Sequence, residues 1–346
     1  MTAVNPTRPA GTASPTLDDV ARVAGVSRAT ASRAINGGDR VSDRAQRSVE
    51  EAVRSLGYVP NRAARTLVTR RTGSVAVVVP EPDERVFSDP FFAGTLRAVT
   101  RVLGEREVQL VLLLARPGAE ETRMLRYLSH RHVDGALVVS HHRDDRLAEQ
   151  LRSIGLPCVF GGRPWSGSEH VPYVDVDNVA GGREATEHLI ARGCRRIGTI
   201  AGPSDMTAAT DRLVGWYTAM TAAELPTDAV VHADFTEDGG RRAAEDLLTR
   251  RPDLDGLVVA SDLMARGALA VAAALGRQVP EDLAVIGYDD LGVAESTDPP
   301  LTTMKNPITE MAERATRMLL DRIDGLEDGG AYRLIIPSTL VVRDST

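Results

Sequence analysis

Charged, polar and aromatic side chains stand directly after a series of short apolar runs in the sequence. They are Phe91, Phe92, Gly162, Arg163, residues 206–212, Phe235, Ser261, Asp262 and residues 288–290. A guanidinium and a carboxylate bind a polar ligand through charge-assisted hydrogen bonds, and aromatic rings pack against its apolar face. Structural roles stay open, because the two phenylalanines would also suit a core and Asp262 a helix cap. Arg212 would also suit a surface ion pair, and Asp289 and Asp290 a loop cap.

The apolar runs themselves indicate how these side chains are positioned. One series is 74–80, 108–114, 135–140 and 157–162, and a second is 196–202, 229–235, 254–261 and 283–290. Amphipathic stretches separate the runs, which predicts an α/β fold with parallel sheets. Because residues 132–140 resemble residues 254–261, we expect two lobes, with chain crossings near 172–178 and 299–306 and a helix over 307–324 that returns to the first lobe. Ligands of such sheets bind beyond the strands' carboxyl ends, so the cleft between the lobes is the candidate site.

The beginning of the chain has a different pattern, that of three short helices. Thr16 is a suitable cap for a helix whose apolar face starts at Leu17, and Gly25 permits a turn after it. Ser27 is a suitable cap for a second helix over roughly 27–35, which carries arginine on its outer face. A third helix is expected between Ser42 and Gly57. Two short helices joined by a small-residue turn form a helix-turn-helix pattern, although many small helical bundles also have three short helices.

The charge distribution supports a polyanion partner for this first part of the chain. Residues 1–72 carry a net charge of +6 and the remainder carries −13, which is typical of a basic binding module on an acidic body; an ordinary basic patch is the alternative. Arg33 could pair with a guanine edge, and Ser27 and Thr30 could bind phosphates. The only lysine is Lys305, which excludes a Walker phosphate loop.

Composition excludes several other classes of protein. No apolar run reaches the ~18–20 residues of a membrane span, and the polar residues 1–15 suggest a disordered leader and no secretory signal. Cys158 and Cys194 are typical of a reducing cytoplasm. His130, His132, His141 and His142 flank a predicted strand in pairs, so we expect no metal site. No G-x-S-x-G sequence is present, and we expect neither catalysis nor a cofactor.

Residues 16–67, TLDDVARVAGVSRATASRAINGGDRVSDRAQRSVEEAVRSLGYVPNRAARTL, resemble the DNA-binding head of the lactose/galactose-repressor (LacI/GalR) family. The resemblance implies that Arg28 and Ala29 at the start of the recognition helix select the operator. It also implies that residues 61–67 form a hinge helix whose Leu67 wedges into the minor groove, although this segment alone would read as a simple linker. The full set of expected DNA-binding residues is Thr16, Ser27, Arg28, Ala29, Thr30, Arg33, Asn36, Tyr58, Asn61, Arg62, Ala64 and Leu67.

The resemblance continues through the rest of the chain and implies a core like that of periplasmic binding proteins. Segments DPFFAGTLRAV, GPSDMTAATDRLVGW, VHADF and VIGYDD match the family's effector-binding segments. The residues expected to bind an effector are Phe91, Phe92, Met206, Arg212, Phe235, Ser261 and Asp289. Met206 replaces an arginine of the purine-binding branch, which disfavours a purine. A carboxylate, a guanidinium and aromatic rings suit a saccharide, and the chain also resembles actinobacterial repressors of cellobiose and related glycoside uptake.

These observations predict a cytoplasmic, homodimeric repressor of sugar-utilisation or uptake genes, released from a palindromic operator by a mono- or oligosaccharide. The expected domains are a leader (1–15), a helix-turn-helix domain (16–60), a hinge and linker (61–72), and an effector-binding and dimerisation domain (73–346). Its lobes are expected at 73–172 plus 305–330, and at 175–300 plus the C-terminal strands. The alternative function is that of a sugar-binding or sugar-processing protein that does not bind DNA.

Overall fold

The computed structural model describes residues 15–35, 41–59, 71–116, 118–326 and 332–346. The chain divides into two compact units, a head of residues 1–72 and a body of residues 73–346. Within the described residues, no helix is both long enough and apolar enough to cross a membrane.

In the described part of the head, three helices enclose a small core. They are α1 (Leu17–Ala24), α2 (Arg28–Ile35) and α3 (Asp43–Leu56). Thr16 caps α1 in a capping box with Asp19, and Ser42 caps α3, as the sequence predicts. Gly25 and Gly57 end α1 and α3 with φ angles of 66° and 61°, a conformation that glycine adopts without strain. The core consists of Val20, Ala21, Ala31, Ala34, Val49 and Ala52.

The first lobe of the body is built on a parallel sheet. Its described strands are β1 (Ser74–Val79), β2 (Gln109–Leu114), β3 (Gly135–Val139), β4 (Cys158–Gly161), β5 (Tyr173–Val176) and β11 (Arg333–Ile336), in the spatial order β11-β5-β4-β3-β1-β2. Its helices are α4 (Asp83–Ser88), α5 (Pro90–Glu105), α6 (Ala119–Ser129), α7 (Leu147–Ser153) and α12 (Ile308–Asp324). Helix α12 packs against α5, which confirms that the chain returns to the first lobe.

The second lobe repeats this arrangement. Its described strands are β6 (Ile197–Ala201), β7 (Val230–His232), β8 (Gly256–Val259), β9 (Ala284–Asp289), β10 (Thr302–Lys305) and β12 (Thr339–Val341), in the spatial order β12-β10-β9-β8-β6-β7. Only β12 runs antiparallel to its neighbour. The helices are α8 (Asn178–Ala191), α9 (Thr207–Ala222), α10 (Glu237–Arg250) and α11 (Asp262–Ala274). The two parallel sheets confirm the predicted α/β class.

The lobe boundaries differ from the predicted ones in two places. Strand β5 extends to Val176 and belongs to the first sheet, so the second lobe does not begin at residue 175. The C-terminal strands do not both belong to the second lobe: β11 pairs with β5, and β12 pairs with β10. Pro337 separates β11 from β12, and because proline lacks a backbone N–H it interrupts a strand. The chain therefore crosses between the lobes a third time.

Candidate functional site

The carboxyl ends of strands from both sheets border a cleft that is open to solvent at its mouth. Of the seven residues expected to bind an effector, Phe91, Met206, Arg212, Phe235, Ser261 and Asp289 line the cleft. The structure thus brings together side chains that are up to 198 positions apart in the sequence, as the rule on strand ends predicts.

Phe92 does not line the cleft, and for this residue the expectation differs from the structure. Its side chain is 1% exposed and belongs to the core of the first lobe. Phe91 and Phe92 are consecutive residues of α5, and consecutive side chains point about 100° apart on a helix. Their rings meet edge to face with centroids 5.1 Å apart. One phenylalanine therefore faces the cleft and the other supports it from the core.

The Arg212 guanidinium is fixed at the base of the cleft by three hydrogen bonds. Nε donates to Asn178 Oδ1 at 2.9 Å, Nη1 donates to the Ala260 carbonyl oxygen at 2.6 Å, and Nη2 donates to Asp289 Oδ1 at 3.3 Å. The guanidinium carbon also lies 3.6 Å from the centre of the Tyr288 ring, within the range of a cation–π contact. Because every arm of the fork has a partner, the cation is pre-organised before any ligand binds.

Asp289 is the anionic partner at the same place. Its Oδ1 also accepts a hydrogen bond from Asn306 Nδ2 at 3.0 Å. Burial raises the pKa of the Asp289 carboxyl, although the charge of Arg212 and the bond from Asn306 act in the opposite direction. Its φ angle of 114° lies in the left-handed region. Holding a non-glycine residue in this conformation costs about 1–3 kcal/mol, and such strained residues are typical of functional sites.

Three further carboxyl groups line the cleft. Burial raises the pKa of Asp89 and of Asp175 to about 6, and that of Asp262 to about 8. Asp262 is 2% exposed and accepts hydrogen bonds from Thr303 Oγ1 at 2.6 Å and from the Asp290 amide at 2.7 Å. It is the first residue of α11 and not its cap, because Ser261 accepts the capping bond from the Met264 amide. Carboxyl groups in an apolar cleft suit a ligand with many hydroxyl donors.

Two glycines allow α8 to pack closely against α9, the helix that carries Arg212. A Cβ atom on Gly182 of α8 would lie 2.2 Å from the Arg212 carbonyl oxygen, and one on Gly215 of α9 would lie 2.3 Å from the Val179 carbonyl oxygen. Helices α8 and α9 therefore pack backbone against backbone, a distance that only glycine allows. The sequence contained a signal for this contact, since glycines within helical stretches often indicate close packing.

Sequence reasoning missed Asn178 and Asn306, which fix Arg212 and Asp289. Asn178 follows β5 and Asn306 follows β10, so both lie beyond the carboxyl ends of strands, where ligands of parallel sheets bind. The strands themselves were not predicted, because YVDV and TTMK contain polar residues. Except for exposed Lys305, these polar side chains are buried, and Thr303 donates a hydrogen bond to Asp262.

The four histidines that flank β3 form two separate pairs, His130 with His132 and His141 with His142. The His130 and His132 rings lie near each other and Tyr127, whereas His141 Nε2 lies 3.2 Å from the Gly162 carbonyl oxygen. Among the residues that the structure describes, no group of three His, Cys, Asp or Glu side chains is placed to hold a metal ion.

In the head, the residues expected to contact DNA lie on or beside α2. Ser27, Arg28, Ala29 and Arg33 are exposed and Thr30 is half-buried. The Ser27 hydroxyl accepts a hydrogen bond from the Thr30 amide at 3.1 Å, so it caps the helix. Arg28 Nε lies 3.5 Å from Asp18 Oδ1, and the Arg28 side chain is 69% exposed; such a surface pair is worth only ~0–1 kcal/mol. Its guanidinium is therefore available to a ligand.

Other members of that predicted set have structural contacts or are not described. Thr16 is exposed at the N-terminus of α1, and Tyr58 packs against the three-helix core. Asn36, Asn61, Arg62, Ala64 and Leu67 lie outside the described residues, so the hinge helix and the minor-groove wedge remain predictions.

Comparison with known proteins identifies the family of the chain. Residues 16–61 match the model of "Bacterial regulatory proteins, lacI family", and residues 186–346 match that of a "Periplasmic binding protein-like domain". The chain is 50% identical over 334 residues to the HTH-type transcriptional regulator CelR of Thermobifida fusca, covering 96% of this chain and 98% of that protein. The chain belongs to the LacI family of bacterial regulators.

Solved structures of family members share the same architecture. A transcriptional regulator CelR–cellobiose complex superimposes with a TM-score of 0.78 at 47% identity, covering 96% of this chain and 100% of that one. A lac repressor dimer bound to operator and an anti-inducer superimposes with a TM-score of 0.84 at 25% identity, covering 96% of this chain and 99% of that one. This family member is therefore a sequence-specific DNA-binding transcriptional regulator and not an enzyme, as the sequence predicts.

Proposed function

We propose that this regulator is a homodimeric, cytoplasmic repressor that a small saccharide, with cellobiose as the first candidate, releases from a palindromic operator. The observation that carries the proposal is the Arg212–Asp289 pair, fixed at the base of a cleft that also contains the Phe91 and Phe235 rings. A guanidinium and a carboxylate together bind vicinal hydroxyls, and a ring packs against the apolar face of a sugar. The similarity to a regulator solved with cellobiose supports this ligand class.

The two-lobed architecture suggests how binding would control DNA affinity. The cleft is lined from both lobes, so an effector that contacts both changes the equilibrium between lobe arrangements. It does so only by its differential affinity for those arrangements, typically ~1–3 kcal/mol. We infer that the saccharide binds more tightly to the arrangement that releases DNA, and that a two-fold symmetric pair of heads recognises two half-sites.

The alternative, a sugar-binding protein without a DNA role, is separated from this proposal by the Arg28→Ala variant. We expect this variant to bind an operator selected from random duplexes about 5- to 100-fold more weakly, since a bidentate base contact is worth ~1–3 kcal/mol. Binding to a scrambled duplex should change far less. Fluorescence anisotropy with both duplexes at fixed salt concentration measures the difference.

The matched control is Arg54→Ala, which removes the same charge from an exposed position in the last turn of α3. It should change the affinity for both duplexes equally. Equal losses on both duplexes for Arg28→Ala as well would show that Arg28 contacts only phosphate, and a wild-type chain without a preferred duplex would contradict the DNA-binding function.

A further inference from the structure

Polar side chains join the two lobes at a place outside the Arg212–Asp289 pair. His142 Nδ1 of the first lobe lies 2.8 Å from Asp205 Oδ2 of the second lobe. Next to it, the Arg143 amide donates to the Asp205 carbonyl oxygen and Arg143 Nη2 donates to the Ser204 carbonyl oxygen, both at 2.8 Å. We refer to His142, Arg143, Ser204 and Asp205 as the clasp. It attaches the loop after β3 to the loop that connects β6 with α9.

The clasp is linked to the wall of the cleft through Glu81. This residue is 3% exposed, and its Oε1 accepts hydrogen bonds from Arg85 Nη1 and Ser140 Oγ, each at 2.6 Å. His142 Nε2 lies 3.1 Å from the same oxygen. Arg85 and Ser140 both line the cleft. A ligand that binds either of them therefore acts on the carboxylate that holds His142.

The two ring nitrogens of His142 face a carboxylate each, Glu81 on one side and Asp205 on the other. Since a carboxylate only accepts, both nitrogens must donate, and this requires the imidazolium form. The hydrogen bond to Glu81 is the main reason that the pKa of His142 rises to about 9. Burial opposes this rise, whereas the charge of Glu81 and the contact with Asp205 add to it. Asp145, whose carboxylate accepts from the His142 amide at 2.6 Å, and Arg143 lie nearby. Arg85 shares the Glu81 carboxylate, and burial lowers the pKa of the adjacent His141 to about 4, which leaves that ring neutral.

We propose that His142 is a positioning residue that holds the two lobes closed across the cleft and thereby sets how tightly the effector is retained. The effect on effector retention rests on the proposed saccharide function, whereas the closure of the lobes by His142 concerns the ligand-free protein. If the closed arrangement is the one that binds the effector, loss of the clasp lowers the population of that arrangement. The apparent affinity then falls in proportion to the lost population.

The first test uses the ligand-free, full-length protein. The Arg143 amide donates across the cleft, so its exchange with deuterium reports on the clasp. We expect Asp205→Asn and His142→Gln to accelerate this exchange at least fivefold at pH 7, and His132→Gln, an exposed histidine of the same lobe, to leave it unchanged. Asp205 is 44% exposed at its side chain, so Asp205→Asn tests the clasp without leaving an uncompensated group in the core. Unchanged exchange in both clasp variants would overturn the proposal.

The second test is a titration with cellobiose at several pH values. With its pKa raised to about 9, His142 is charged at pH 7 and loses its charge as the pH rises through about 9; the stabilisation of the clasp is complete below the ordinary pKa near 6.5 and is lost as the pH passes the raised one. We therefore expect wild-type affinity to fall about tenfold, within the usual range of couplings, between pH 7 and pH 9.5. In His142→Gln the saccharide affinity should already be low at pH 7, and the fall caused by loss of the imidazolium charge should be absent. The pH dependence that comes from Asp262, whose pKa is about 8, should remain.

The outcomes distinguish the two proposals. Accelerated Arg143 exchange together with no saccharide binding by the wild type would uphold the closing role of His142 and contradict the proposed effector. Saccharide binding with the same affinity and pH profile in wild type and His142→Gln would uphold the effector and overturn the coupling. Because His142 and Asp205 form one interaction, the variant that carries both His142→Gln and Asp205→Asn should bind no more weakly than either single variant, and additive losses would also contradict the clasp.

Discussion

The Asp289→Asn and Arg212→Ala variants should bind operator DNA normally and fail to respond to the saccharide. Each residue presents a charged hydrogen-bonding group to the effector, and removing one partner of a buried charged hydrogen bond between protein and ligand costs about 2–5 kcal/mol, so we expect effector affinity to fall about 30-fold or more. Both residues lie in the body, far along the chain from the basic head. In a reporter strain the variants should therefore repress in the presence of the sugar, and calorimetric titration should show the loss of binding directly.

Asp289→Asn is the more informative of the two variants. It retains the shape of the side chain and a hydrogen-bonding group for Asn306, whereas Arg212→Ala leaves a carboxylate without its cation. The control is Arg241→Ala, an exposed arginine of the same lobe that pairs with Asp238 and Glu245 on the surface of α10. It should leave the sugar response intact. Loss of operator binding by Asp289→Asn at a normal melting temperature would contradict the separation of head and body roles.

Gly182→Ala should destabilise the body and weaken effector binding together. The new methyl group would lie 2.2 Å from the Arg212 carbonyl oxygen, so α8 and α9 must move apart. Overpacking of this kind costs about 1–3 kcal/mol, occasionally more, and in a domain of this size each kcal/mol lowers the melting temperature by roughly 2–4 °C. Differential scanning calorimetry measures the first effect, and effector titration at a temperature where the variant is folded measures the second.

Gly104→Ala is the matched control for this substitution. Gly104 lies in α5, is exposed, and has no other heavy atom within 4 Å of an added Cβ. Alanine there should be neutral or stabilise the protein by roughly 0.4–1 kcal/mol, because it reduces the conformational entropy of the unfolded chain. If Gly182→Ala melts at the same temperature as Gly104→Ala, the close contact between α8 and α9 does not position Arg212.

The effector cleft was predictable from the sequence wherever apolar runs defined the strands. Residues such as Arg212 and Asp289 follow or lie near the ends of such runs, and the resemblance identified their roles. Phe91 and Phe92 could not be separated, because adjacent residues differ only in the direction in which a helix presents them. The clasp was not predicted: His142 and Asp205 also follow the ends of β3 and β6, but no sequence pattern pairs one loop with the other, and the two side chains meet only through the arrangement of the two lobes.

We propose above that this chain releases a specific DNA site when a saccharide occupies the cleft. The most direct measurement is the fluorescence anisotropy of a labelled operator, bound by the full-length protein at fixed salt concentration, during a titration with cellobiose. Maltose, which contains the same two hexoses in a different linkage, serves as the comparison, and Asp289→Asn serves as the unresponsive protein. We predict that cellobiose lowers the anisotropy of the wild-type complex to that of free DNA and leaves the Asp289→Asn complex unchanged. A wild-type complex that cellobiose and maltose leave intact or tighten would contradict the account.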